Sequence, residues 1–298
     1  MSSCNDVNTR ILEFIFGSLS IAGSFFNISM FLFFKDLRNE ATELIFHLSM
    51  SCIFTNISYL LAFSPNNEIS SLICNLQGIT MIFFESSQAI WVTIISYSAY
   101  KNCIFYENGY VYNCQIRISY LVWAYILPLF LVLFCCFYDY VGFNNYWCWI
   151  KEEEKELISV VYLFLWSLII LSGFYIIKVI TFLKNHYTNR KETEMISRYT
   201  SKIKYYPIIQ ICCLIPASIC RLLKQIDKNH TLCLLELLNI IFLNLQGFLY
   251  SLIFGLNPLI IDRIAQKVKD FCKKKEEIDP SSIESSKYTN FHNTIMTS

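Results

Sequence analysis

Three pairs of polar residues stand where the surrounding sequence is almost wholly apolar. Glu85 and Gln88 are one helical turn apart, Arg221 and Lys224 are likewise spaced, and Glu236 with Asn239 repeats the interval. An ionisable group inside a membrane span costs on the order of 3 kcal/mol on insertion scales, so it faces the bundle interior and pairs with another group or with a ligand. Arg221 and Lys224 have the chemistry to attract an anionic or phosphate-bearing ligand. Glu85 and Glu236, with Gln88 and Asn239 beside them, have the chemistry to hold an amine or the edge of a purine. A structural reading is also open, in which Arg221 neutralises Glu85 or Glu236 and Lys224 extends to water at its helix end.

Both readings need a membrane, and the composition supplies the case for one. Of 298 residues, 55% are hydrophobic and only 16% charged, with 25 Phe and a mean hydropathy of +0.43, which is too apolar for a soluble domain. Seven apolar runs reach the roughly 20 residues with which a helix crosses about 30 Å of hydrocarbon. They are Ile11–Phe34, Leu44–Phe63, Cys74–Tyr100, Ile118–Tyr138, Leu157–Leu183, Tyr205–Leu223 and Leu232–Ile261. The expected fold is therefore an all-α membrane protein, a seven-transmembrane helix bundle in which no span needs a strand reading. Glu85 then lies roughly 16 Å down span three from Cys74 at 1.5 Å per residue. Asn27, His47 and Asn244 read as single hydrogen-bonding groups tying helices together. Pro128, Pro207, Pro216 and Pro258 kink or end helices, because each removes a backbone donor.

Basic residues set the orientation. With the N-terminus outside, the segments after spans one, three, five and seven hold 17 of the 24 Lys and Arg, as cytoplasmic segments should. Only Arg10 precedes span one and no small-residue cleavage site follows it, so span one reads as an uncleaved anchor. The net charge of +1 implies no acidic partner, and no basic block with interleaved aromatics points to nucleic acid.

Most of the 13 cysteines fall inside spans, where Cys is a small apolar residue. Cys4, Cys74, Cys148 and Cys233 lie at the outer, oxidising face. A Cys74–Cys148 bond would tie the longest outer loop to the top of span three, closing a lid over the space between the helices, with Trp149 stacking as its underside. Cys4 and Cys233 remain alternative partners, since spacing does not determine connectivity. Glu152, Glu153, Glu154 and Glu156 read as a solvated rim whose charge slows anionic ligands and favours cationic ones.

Several stretches carry a resemblance: LRNEAT (Leu37 to Thr42), WVTIISYSAY (Trp91 to Tyr100), YWCWI (Tyr146 to Ile150), CLIPASICR (Cys213 to Arg221) and QGFLYSLIFGLNP (Gln246 to Pro258). In their order the chain resembles the seven-helix receptors that couple to G proteins, and within them the slime-mould cyclic-AMP receptor-like branch. Gln246-Gly247-Phe248 looks nearer to secretin-like and adhesion-like receptors. The glutamate run and Pro216 depart from the cyclic-AMP receptors, so ligand identity is not carried over. The resemblance implies a plasma-membrane receptor that binds an extracellular small ligand among its helices and activates a heterotrimeric G protein. By that analogy the basic segment between spans five and six, with Arg190, Lys191, Arg198, Lys202 and Lys204, is expected to contact the G protein. A solvated basic face near anionic lipid would look the same.

The chain is accordingly expected to divide into an extracellular N-terminus (1–10), the seven-span domain (11–261), an amphipathic membrane-surface helix (262–275) and a disordered cytoplasmic tail (276–298). Cys272 on that surface helix is a candidate for palmitoylation. Asn229 opens the one glycosylation sequon in an outer loop.

Other functions are weighed by what is missing. Span seven contains no lysine for a retinal Schiff base. His47, His186, His230 and His292 are scattered over different segments, so neither a zinc site nor another cofactor is expected, and enzyme chemistry is not expected. The alternative is a transporter or channel using Glu85, Arg221 and Glu236 as a substrate path, against which stands the lack of matched Gly- or Pro-broken spans in the two halves.

Overall fold

The computed structural model describes residues 6–61, 71–107, 118–144, 147–186, 202–226, 233–257, 260–267 and 269. Among the described residues seven helices are long and apolar enough to cross a membrane: α1 (Asp6–Phe33), α2 (Glu40–Leu61), α3 (Ser71–Glu107), α4 (Ile118–Phe137), α5 (Lys155–His186), α6 (Tyr205–Ile226) and α7 (Cys233–Gly255). They coincide with the seven apolar runs, except that α7 stops at Gly255 where the sequence predicts Ile261. Beyond it the Asn257 carbonyl accepts the N–H groups of Ile260 and Ile261 at 2.9 and 3.1 Å, opening a separate helical stretch over 260–267. Pro258 has no N–H with which to prolong α7. The described residues from Gly255 onward belong to a second unit.

Within the first unit α3 is the most buried helix and packs against α2, α4, α5 and α6. Helix α5 shows its outer face plainly: Leu163, Ile170 and Ile177 are exposed at heptad intervals while Leu165, Ile169 and Ile176 are buried. Lipid is as apolar as leucine, so association of the helices rests on close packing and hydrogen bonds. At α1 against α7 closeness comes from glycine. A Cβ on Gly23 would lie 2.5 Å from Ser251 Oγ, and one on Gly247 would lie 2.5 Å from both Ser20 Oγ and Ser24 Oγ.

The LRNEAT stretch makes the turn from α1 to α2. Arg38 donates from Nε to the Phe31 carbonyl (3.1 Å) and from Nη2 to the Leu32 carbonyl (2.8 Å), satisfying carbonyls that the end of α1 leaves open. Asn39 Oδ1 accepts the Thr42 N–H and Thr42 Oγ1 accepts the Asn39 N–H, both at 3.0 Å, a reciprocal cap that starts α2.

Two features have no counterpart in the sequence reading. Helix α4 contains a π-helical turn over Val122–Ile126, just before Pro128, whose missing N–H interrupts the regular ladder. The turn carries Tyr125, whose hydroxyl lies 2.9 Å from His47 Nδ1 on α2, and His47 stacks on Trp91 with centroids 4.9 Å apart. Between α4 and α5 an antiparallel hairpin, β1 (Val141–Asn144) and β2 (Trp147–Ile150), pairs Val141 with Ile150 and Phe143 with Cys148. Every residue of β2 is buried, so no alternation of polar and apolar residues announces it.

Candidate ligand-binding site

The hairpin is seated on α3 by three contacts. Cys148 is disulfide-bonded to Cys74 with Cα atoms 5.2 Å apart, as favoured from the sequence. Cys233 is also in a disulfide, and its partner lies outside the described residues. Gln77, fully buried, accepts the Cys148 N–H at Oε1 (2.9 Å) and donates from Nε2 to the Ser58 carbonyl of α2 (3.0 Å). Gly78 admits β1, since a Cβ there would lie 2.4 Å from Val141 Cγ1. Trp149 is therefore held in a buried strand and does not ride on a free loop.

Below β2 the charged residues of three helices converge. The Arg221 guanidinium of α6 lies over the Trp149 ring, 5.1 Å from its centroid. It also lies close enough to Tyr162 of α5 and Glu85 of α3 to act on both electrostatically. Glu85 Oε1 accepts the Tyr59 hydroxyl of α2 at 2.7 Å. Tyr59 meets Trp147 edge-on at 5.5 Å, and Trp149 meets Tyr162 edge-on at 6.1 Å. Glu13 of α1, buried, also acts on the Tyr59 hydroxyl. Arg221 and Glu85 thus sit among four aromatic rings beneath a disulfide-anchored hairpin, with Glu13 buried on α1 within electrostatic reach of Tyr59. Trp149 Nε1 is buried with no acceptor among the described residues.

The other expected site residues divide. Glu236 and Asn239 are buried one turn apart on α7, and Asn239 Oδ1 has no donor among the described residues. Gln88 is spent on the joint between α2 and α3: Nε2 donates to Thr55 Oγ1 (2.6 Å) and Oε1 accepts the Cys52 thiol (3.5 Å). Lys224 belongs to α6, but its side chain is outside the described set, as are Arg190, Lys191, Arg198, Asn229 and Cys272. Lys202 and Lys204 precede α6, with Lys204 Nζ over the Tyr205 ring at 5.1 Å. Of the residues expected to tie helices, Asn27 donates to Ser49 Oγ across to α2 at 3.0 Å and His47 reaches Tyr125. Asn244 differs, because its Nδ2 donates within α7 to the Ile240 carbonyl at 2.9 Å.

Sequence reasoning missed Glu13, Tyr59, Trp147 and Tyr162. Glu13 carried a signal, being ionisable within an apolar run by the criterion that selects Glu85. The aromatic residues carried none, since nothing in the sequence says which of its 19 Tyr and 5 Trp face one another.

The family model described as the slime mold cyclic AMP receptor matches residues 2–295. The chain belongs to that family. Among its relatives, the cyclic AMP receptor-like protein A of Dictyostelium discoideum is 26% identical over 276 residues, covering 91% of this chain and 71% of the relative. The G-protein coupled receptor 1 of Arabidopsis thaliana is 25% identical over 275 residues, covering 87% and 81%. The crystal structure of squid rhodopsin superposes with a TM-score of 0.71 over 89% of this chain and 82% of its own, at 14% identity, which is a likeness of fold. This member of the slime mold cyclic AMP receptor family is thus a multi-pass membrane protein and a seven-helix receptor of the G-protein-coupled class. Family and fold are those of receptors and not of enzymes, and neither supports the transporter reading.

Proposed function

We propose that this receptor sits in the plasma membrane with its N-terminus outside and its C-terminus in the cytoplasm, and binds a small extracellular ligand beneath the β1–β2 hairpin. The observation that carries this is the convergence of Arg221, Glu85, Tyr59 and Tyr162 under Trp149, with donor and acceptor groups left over at Trp149 and Asn239. Arg221, with Lys224 beside it in sequence, receives an anionic or phosphate-bearing group. Glu85, Glu236 and Asn239 receive an amine or purine edge, and Gln88 braces the helices behind them. Cyclic AMP, which the family description and the Dictyostelium relative name, carries both groups and is the first compound to test. The acidic rim of Glu152 to Glu156 opposes anionic ligands, so uncharged purines and amines belong in the same screen.

Occupancy is transmitted to a heterotrimeric G protein through the cytoplasmic segment containing Arg190, Lys191, Arg198, Lys202 and Lys204. The chain, expressed with a panel of G-protein activation reporters, is expected to give ligand-evoked signalling that Arg221→Ala weakens at least tenfold in potency. Scrambling residues 198–204 should abolish that signalling while the receptor still reaches the surface. Unchanged potency in Arg221→Ala would remove the anion-binding role, and substrate flux without signalling would remove the receptor reading altogether.

A further inference from the structure

Cys233, the first residue of α7, is in a disulfide whose partner is not among the described side chains. The chain has 13 cysteines; six of the described ones are free thiols, and Cys74 is bonded to Cys148. Cys4, Cys103, Cys114 and Cys272 are left.

Three of these four stand away from the end of the bundle where Cys233 lies. Helices α1 and α7 run side by side in the same direction, with Gly17 facing Asn244, Gly247 facing Ser20 and Gly23 facing Ser251. Glu13, near the start of α1, acts on Tyr59 beneath the hairpin, so the start of α7 belongs to the hairpin end as well. Cys74, at the hairpin, opens α3, and Cys103 lies roughly 40 Å further along that helix at 1.5 Å per residue. Cys114 falls after α3 has ended and before α4, which leads back to the hairpin, has begun. Cys272 follows α7, and to reach Cys233 the chain would have to carry Arg263, Lys267 and Lys269 back across the hydrocarbon.

Cys4 is level with Cys233. The register of α1 on α7, carried about three turns beyond Gly17 and Asn244, sets Cys233 beside Asp6, where α1 begins. Thr9, Glu13 and Glu236 are buried over that stretch, so both helices are still packed into the bundle there. Packed helices have axes about 8–10 Å apart, and a disulfide spans about 4.4–6.8 Å between Cα atoms. The chain from Asp6 back to Cys4 reaches about 7 Å, which covers the difference.

We propose that Cys4 and Cys233 form a second disulfide, which clamps the start of α1 to the start of α7 as Cys74–Cys148 clamps the hairpin to α3. Its formation removes two thiol protons and two electrons. One thiolate attacks the disulfide of an oxidised protein dithiol in the oxidising lumen where membrane receptors fold, and the other displaces the mixed disulfide, releasing the carrier as its dithiol. The bond fixes the spacing of the two helices that carry Glu13 and Glu236. It is independent of the reading of Arg221 and Trp149, and its test requires no ligand.

The purified full chain, unfolded in N-ethylmaleimide without reductant, deglycosylated and cut with trypsin, should yield residues 1–10 joined to residues 229–263, a pair that reductant separates. In Cys4→Ala, Cys233 should take up N-ethylmaleimide, as it should not in the wild type. Cys4→Ala, Cys233→Ala and the double variant should unfold at one common temperature, about 5 °C or more below wild type. Cys4 alkylated in the unreduced wild type, or residues 229–263 joined to a peptide holding Cys103, Cys114 or Cys272, would overturn the proposal. A double variant whose loss is the sum of the two single losses would overturn it as well, since the cysteines would then act separately.

Discussion

Arg221 illustrates why two readings of an intramembrane charge need not compete. Its guanidinium lies over the Trp149 ring and within electrostatic reach of Tyr162 and Glu85, so protein groups compensate its charge. The planar guanidinium presents its N–H donors in one plane while its face lies on the indole, a geometry that a lysine ammonium would not reproduce. Trp149 separates stacking from hydrogen bonding experimentally. Trp149→Phe retains an aromatic face under Arg221 and removes the Nε1 donor, which has no acceptor among the described residues. The expected outcome is an unfolding midpoint within about 1 °C of wild type and a ligand potency reduced about 5- to 10-fold, read as the half-maximal concentration in a signalling assay. Equal potency would show that the ligand does not use the indole nitrogen.

At the scale of elements, the hairpin and the α1–α7 contact depend on glycines at points of closest approach. Gly78→Ala would place a methyl 2.4 Å from Val141 Cγ1 and push β1 off α3, although the Cys74–Cys148 bond limits how far it moves. Gly247→Ala would set a methyl 2.5 Å from the Ser20 and Ser24 hydroxyls and 3.1 Å from Cys52 Cβ, so both serines would have to turn away at once. Overpacking of this kind costs about 1–3 kcal/mol, so each variant should lower the thermal midpoint of the purified receptor by several degrees. The two should differ in a second readout. Gly78→Ala should also weaken ligand binding, because β2 carries Trp149, whereas Gly247→Ala should leave affinity within about twofold.

The whole bundle joins the hairpin end to the opposite end through α6 and α7. Arg221 stands near the end of α6, Pro216 lies within that helix, and near its start Gln210 enters a closed ring of hydrogen bonds. Gln246 Nε2 donates to Gln210 Oε1 and to the Tyr250 hydroxyl, and Tyr250 donates to Gln210 Oε1, all at 2.7 Å; Tyr206 stacks on Tyr250 at 5.3 Å. A ring with its polar atoms mutually satisfied in a buried setting favours one packing of α6 against α7. Gln210→Leu breaks it without introducing a clash and should raise ligand-independent G-protein activation about fivefold or more, at equal surface expression. Basal signalling equal to wild type would show that the ring is structural only.

Seven spans, their order and the position of the intramembrane charges were legible in the sequence, because the cost of exposing backbone or charge to hydrocarbon acts on each segment separately. Glu85 and Arg221 stood out on that ground alone. What only the tertiary structure decided were relations between segments. Gln88, which shares a helix face with Glu85, turned out to brace α2, and Trp149 turned out to be fixed in a buried strand. What Gly78 and Gly247 make room for is likewise invisible in sequence, since a glycine states that a side chain is absent and only its neighbours in space, Val141 at one and Ser20 with Ser24 at the other, determine what the absence admits.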